Sequence, residues 1–69
     1  MTETITINGE ARPWRDQDLA EVLAEYGVDP GRPGVAVALN AEIAPRGEWA
    51  GMRVRPGDAI EIVHIVRGG

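Results

Sequence analysis

Ala59-Ile60-Glu61-Ile62-Val63-His64-Ile65-Val66 is the most β-prone run in the chain, dominated by β-branched residues. Its near-continuous apolarity predicts a central strand with neighbours on both faces. Upstream of it, Arg55-Pro56-Gly57-Asp58 is a turn signal; downstream, Arg67-Gly68-Gly69 is a bare tail. At the far end of the chain, Glu3 to Ile7 alternates polar and apolar residues, the pattern of a half-buried strand with Ile5 and Ile7 on one side. Asn8-Gly9 follows, a hairpin turn in which both positions need positive φ. Glu10 to Trp14 is then the returning strand. Pro13 cannot donate to a ladder, so this strand belongs on an edge.

Between these ends lies one helix, predicted over Asp18–Tyr26. Asp18 and Glu21 form a capping-box pair that satisfies free amides of the first turn. Leu19, Val22, Leu23 and Tyr26 fall at i, i+3, i+4 and i+7, one apolar stripe. Gly27 suits the left-handed position after the last turn, and Val28 can fold back onto the helix. A helix this short is unstable alone and needs a sheet to lie on. Asp29 to Gly34 is a loop by composition. Val35 to Leu39 is an apolar strand ending at Asn40, and Ile43 to Arg46 is a short extended piece. Gly47 to Met52 is a turn or one helical turn. The order is hairpin, helix, two strands, strand. The last strand should be central, with the first strand beside it through a helix-containing crossover. One helix then covers one sheet face. This is an α+β architecture, the β-grasp or ubiquitin-like fold, formed by residues 1–66 and followed by a flexible tail, residues 67–69.

The chain has 69 residues, enough for one small domain and too few for a large substrate-enclosing cleft. It contains no cysteine, so disulfides, thiolate metal sites and thiol catalysis are excluded together. One histidine cannot make a multi-histidine metal site. The opening residues show neither a basic start nor an apolar run, so no signal peptide is expected. No stretch reaches the length of a membrane span, and the expected compartment is the cytoplasm. The net charge is −4, and every basic residue is arginine. Residues 1–30 hold seven acids and two arginines, a net −5, whereas residues 31–69 carry a net +1. An acidic chain without a basic stripe is a poor nucleic-acid ligand. Its expected partners are proteins.

No catalytic constellation emerges. There is no serine, so no serine nucleophile exists. His64 lies inside the final strand, where a surface or interface position is the simpler reading than a general base. The glycines of Asp29 to Gly34 lack the spacing of a phosphate loop. The remaining feature is the Gly68-Gly69 end. It follows directly on the most structured strand, and three residues past Val66 reach about 10 Å. Glycine lets a tail pass a narrow channel and leaves a terminal carbonyl open to attack. A carboxylate becomes an acyl donor once adenylated.

Val37-Ala38-Leu39-Asn40, Ile43, Pro45-Arg46, Trp49, Gly57-Asp58, the apolar strand and Gly68-Gly69 together resemble the ThiS family, the sulfur carriers of bacterial thiamin biosynthesis. The hairpin and helix also fit, so the resemblance covers nearly the whole chain, with its specific part in the second half. Arg67 departs mildly, since a small residue is also common before the glycines. The resemblance implies a protein carrier rather than an enzyme, with no cofactor bound by the chain. An adenylyltransferase of the ThiF type would use ATP-Mg to adenylate the Gly69 carboxylate. A sulfur-donor protein would supply persulfide sulfur to form a thiocarboxylate. A thiazole synthase of the ThiG type would receive that sulfur. Gly69 is then the attachment site, with Gly68 and Arg67 as its tail.

Arg46, Trp49, Val63 and Ile65 are the candidate partner-binding residues. Arg and Trp are enriched in interface hot spots, although Trp49 can equally cover the core edge and Arg46 make a surface ion pair. If the helix covers Ile60 and Ile62, Val63 and Ile65 fall on the uncovered face, which becomes a binding patch. Two alternatives remain at this point: a molybdopterin synthase small subunit-like carrier, and a ubiquitin-like interaction or modifier domain.

Overall fold

Asn8 and Gly9 have φ of 52° and 84°, the two positive values that a tight hairpin turn requires. They join β1 (Thr4–Ile7) to β2 (Glu10–Pro13) in the computed structural model, which describes residues 3–65. β2 is an edge strand, and Pro13 sits at its end opposite Thr4. The order across the five-stranded sheet is β2-β1-β5-β3-β4, with β3 over Val35–Leu39, β4 over Glu42–Ile43 and β5 over Ala59–His64. β5 is central, parallel to β1 and antiparallel to β3. The crossover from β1 to β5 carries the helix α1 (Leu19–Ala24). This is the β-grasp arrangement.

Local chemistry sets the ends of α1. The Asp18 side chain accepts from the Glu21 amide at 2.8 Å, and the Glu21 side chain accepts from the Asp18 amide at 3.1 Å. Both halves of the capping box are thus formed. At the other end Gly27 has φ 75°, its amide reaches Ala24, and the Val28 amide reaches the Leu23 carbonyl. These are the paired bonds of a Schellman ending, and they fold the buried Val28 against the last turn. The regular helix is shorter than the Asp18–Tyr26 expected, because Asp18 is a cap and Tyr26 belongs to that ending.

Leu19, Val22 and Leu23 of α1 meet Ile5, Ile7, Val37, Ile60 and Ile62 from the covered face of the sheet. A 3₁₀ helix over Arg46–Gly51 closes the side of this core with Trp49. Of the extended piece expected over Ile43 to Arg46, only Ile43 belongs to β4, which starts one residue earlier. The Ala44 amide adds one more bond to the Val37 carbonyl in the same register, and the chain then leaves through Pro45 into the 3₁₀ helix. β5 corrects one expectation. Its core face is covered, but its other face, bearing Glu61 and Val63, is exposed. The apolar run is not sandwiched between two layers.

Asn40 and Asp58 anchor the start of β5. The Asn40 amide group donates to Asp58 Oδ1 at 3.0 Å, and its Oδ1 accepts from the Ala59 amide at 2.9 Å. Asp58 also accepts from the Arg55 amide at 2.8 Å. Asn40 has φ 51°, which asparagine tolerates better than most residues. Asn40→Ala is expected to destabilise the fold by about 1–2 kcal/mol in urea unfolding, through lost hydrogen bonds and backbone strain. Asn40→Gly relieves the strain, so comparison of the two separates the contributions. Unchanged stability in both would show that this anchor contributes nothing.

Candidate docking face and the base of the tail

The alternation of β5 decides where its apolar side chains go. Ile60 and Ile62 point into the core, so Val63 and Ile65 face outward, with 54% and 55% of their surface exposed. Ladder partners share a face. Val63 lies opposite Ala36, while Glu61 lies opposite Ala38, which in turn lies opposite Ile43. Ile43 is 75% exposed. Ile43 and Val63 therefore flank a low floor of half-buried alanines, and Ile65 continues the face toward the chain end. The Ile65 amide bonds the Gly34 carbonyl at 2.8 Å, so the chain is held on its β3 side up to this point.

The structure brings Val63 and Ile65 together on this face and adds Ile43, which sequence reasoning did not assign to the patch. Its phase with Ala38 could have revealed it, but a two-residue strand offers too short an alternation to read. Arg46 is exposed but separated from β5 by β3 and β4. Trp49 is a correction. It is 2% exposed, and its indole N–H donates to the Ala44 carbonyl at 2.8 Å. A buried ring with a satisfied polar handle is core, not a docking contact. Val66, Arg67, Gly68 and Gly69 lie outside the described residues, as does the expected flexibility of the tail.

A cleft of about 360 Å³ lies on the opposite side, between the hairpin and α1. Its charges are mutually engaged. Arg15 bonds Glu25 at 2.9 Å, Gln17 bonds the same carboxylate oxygen, and Arg12 donates to the Tyr26 hydroxyl at 2.8 Å. The Tyr26 contact is the main cause holding the Arg12 guanidinium above its ordinary pKa. Among the described residues, no helix is long and apolar enough to cross a membrane.

Comparison with known proteins bears on what the exposed face and the chain end serve. The model of the ThiS family matches residues 5–69. The sulfur carrier protein ThiS of Thermus thermophilus is 42% identical over 65 residues, covering 94% of this chain and 98% of that protein. A thiazole synthase of Paramagnetospirillum magneticum is 41% identical over 66 residues, covering 94% of this chain but 20% of that protein. The crystal structure of a thiamine biosynthesis protein, ThiS, from Geobacter metallireducens superposes with a TM-score of 0.78 at 28% identity, covering 96% of this chain and 99% of that one. A match that starts in β1 and runs to the second of the two terminal glycines, on a shared β-grasp sheet, leaves one conclusion: this chain belongs to the ThiS family.

Proposed function

We propose that this chain is the sulfur carrier of thiamin biosynthesis and that the Gly69 carboxylate carries the sulfur. The observation that supports this most is the family match extending through Gly68-Gly69, the residues that follow the central strand. A carboxylate oxygen of Gly69 attacks the α-phosphate of ATP on an adenylyltransferase, and pyrophosphate leaves. A persulfide sulfur from a donor protein then attacks the acyl carbon, and AMP leaves. A further thiol cleaves the S–S bond and releases the thiocarboxylate. The chain holds no cysteine, so it has no other site for acyl or persulfide sulfur. It also has no lysine, so it cannot be its own lysine acceptor. The use of ATP supports a cytoplasmic location for the reaction.

The acceptor is a thiazole synthase. A protein of that name carries a segment resembling this chain along one fifth of its length, which supports a physical association between the two functions. Intact mass of the protein isolated from thiamin-starved cells tests the carrier reading. One oxygen replaced by sulfur is the expected result, and an unmodified C-terminus under that demand counts against it.

The face bearing Val63, Ile65 and Ile43 is the proposed docking surface for the activating enzyme, with exposed Arg46, beyond β3 and β4, as a proposed second contact. Ile65→Asp is expected to weaken binding at least tenfold by calorimetric titration, as removal of an apolar anchor does. Its stability should stay near wild type, because the side chain is half in solvent. Unchanged affinity in a folded variant would make the patch a bystander.

A further inference from the structure

The two edges of β5 are not equivalent near its end. In an antiparallel ladder, alternate residues send both backbone groups toward the same neighbour. The Asn40 amide bonds the Ala59 carbonyl, and the Ile65 amide bonds the Gly34 carbonyl. The odd-numbered residues of β5 therefore face β3. The even-numbered residues face β1, as shown by the Asn8 amide on the Ile60 carbonyl at 2.9 Å. β1 stops at Ile7, where the chain turns through Asn8-Gly9 into β2. The Asn8 side chain supplies one more acceptor, to the Ile62 amide at 2.7 Å. Beyond that, the Ile62 carbonyl and the His64 amide and carbonyl project past the hairpin. They have no strand partner among the described residues.

Open ladder positions on a central strand are unusual, because a free edge invites pairing. Here they sit immediately before residues 66–69, the part of the chain that an enzyme must receive. A recess of about 480 Å³ adjoins the same edge, lined by Thr6, Asn8, Gly9, Ala59, Ile60 and Glu61. By register, Thr6, Ala59 and Glu61 share the outer face there. Glu61 is exposed and makes no ion pair among the described residues. We propose that the open edge at Ile62–His64 takes up an extended segment of the adenylating enzyme as an added strand, with a basic side chain of that segment seated beside Glu61. This rests on the carrier reading and adds to it. Main-chain pairing supplies affinity without a side-chain code. It also fixes the line along which the tail leaves β5, because the strand is then bonded on one side through His64 as it is on the β3 side through Ile65.

At 69 residues the chain is within reach of chemical synthesis, which permits a test at the backbone. An ester replacing the Val63–His64 amide removes the His64 N–H and leaves every side chain in place. With the cognate adenylyltransferase, ATP and magnesium, the ester is expected to weaken binding about five- to tenfold, the worth of one strand hydrogen bond. In the unmodified protein, exchange of the His64 amide should slow at least tenfold on complex formation. Glu61→Arg should weaken binding by a similar factor. Normal adenylation with an unprotected His64 amide and an ester of wild-type affinity would overturn the added strand and leave the carrier reading standing. Concentration-dependent self-association lost in the ester would also overturn it, since a second copy would then occupy the edge. Absence of adenylation in the unmodified chain removes both readings together.

Discussion

Deletion of Gly69 is expected to abolish ATP–pyrophosphate exchange with the proposed adenylyltransferase while leaving the unfolding transition near wild type. The first half follows from reach. Removing one extended residue withdraws the terminal carboxylate by about 3.5 Å. A nucleophile misplaced by about 1 Å can already cost on the order of a hundredfold in rate, so this shift should remove measurable exchange. The second half follows from the core, whose buried residues run from Ile5 to Ile62. Gly68→Val should impair activation while keeping the carboxylate, by adding bulk next to the residue proposed to react. Gly69→Ala should be milder, since only a methyl group is added beside the reacting carbonyl. One extra residue after Gly69 should be as damaging as the deletion. An interaction-only ubiquitin-like domain would tolerate all four changes. Exchange that persists undiminished after Gly69 is removed sinks the carrier reading.

Much of this fold is written in short-range signals that tertiary packing had no reason to override. Asn8-Gly9 makes the hairpin because both residues accept positive φ, and Pro13 sits on an edge strand where its missing N–H costs nothing. Asp18 and Glu21 cap the helix, and Gly27 ends it. The strand pairing followed from the apolarity of β5 and the handed crossover. The errors arise where no periodicity exists to read. Trp49 stands in a glycine-flanked segment, and sequence alone does not show that the 3₁₀ turn after Pro45 swings the indole under the Ala44 carbonyl. The expectation of neighbours on both faces of β5 failed for another reason. An apolar run has the same composition whether its second face meets a layer of its own chain or a partner. The six-residue helix α1 and the 3₁₀ helix pack on the core side and leave Val63 and Ile65 in solvent. An exposed apolar face of this kind is what the proposed docking of a partner would cover. For the tail the sequence is the whole source, since residues 66–69 lie outside those described.

Leu23→Ala is expected to remove about 2–5 kcal/mol of stability, the range for truncating a fully buried leucine. Leu23 is 0% exposed and sits on α1 among Val22, Ile5 and Ile60 of the same core. A 69-residue domain without disulfides has on the order of 3–10 kcal/mol in total, so the variant stands close to unfolding. Trp49→Ala should be at least as severe, about 3–5 kcal/mol, because it empties the largest buried side chain and frees the Ala44 carbonyl. Trp49→Phe separates these effects by keeping much of the ring volume while losing the N–H donor. Its smaller cost, about 1–2 kcal/mol, measures the bond with residual packing loss. Urea titration followed by far-ultraviolet circular dichroism reads all three, and the Trp14 signal reports on the Trp49 variants. The functional consequence separates core from surface. Leu23→Ala should lose adenylation only in step with its folded fraction, and should recover when unfolding is suppressed by cooling or a stabilising osmolyte. Gly69 deletion should not recover under the same treatment. A Leu23→Ala protein as stable as wild type would mean that α1 does not close this core.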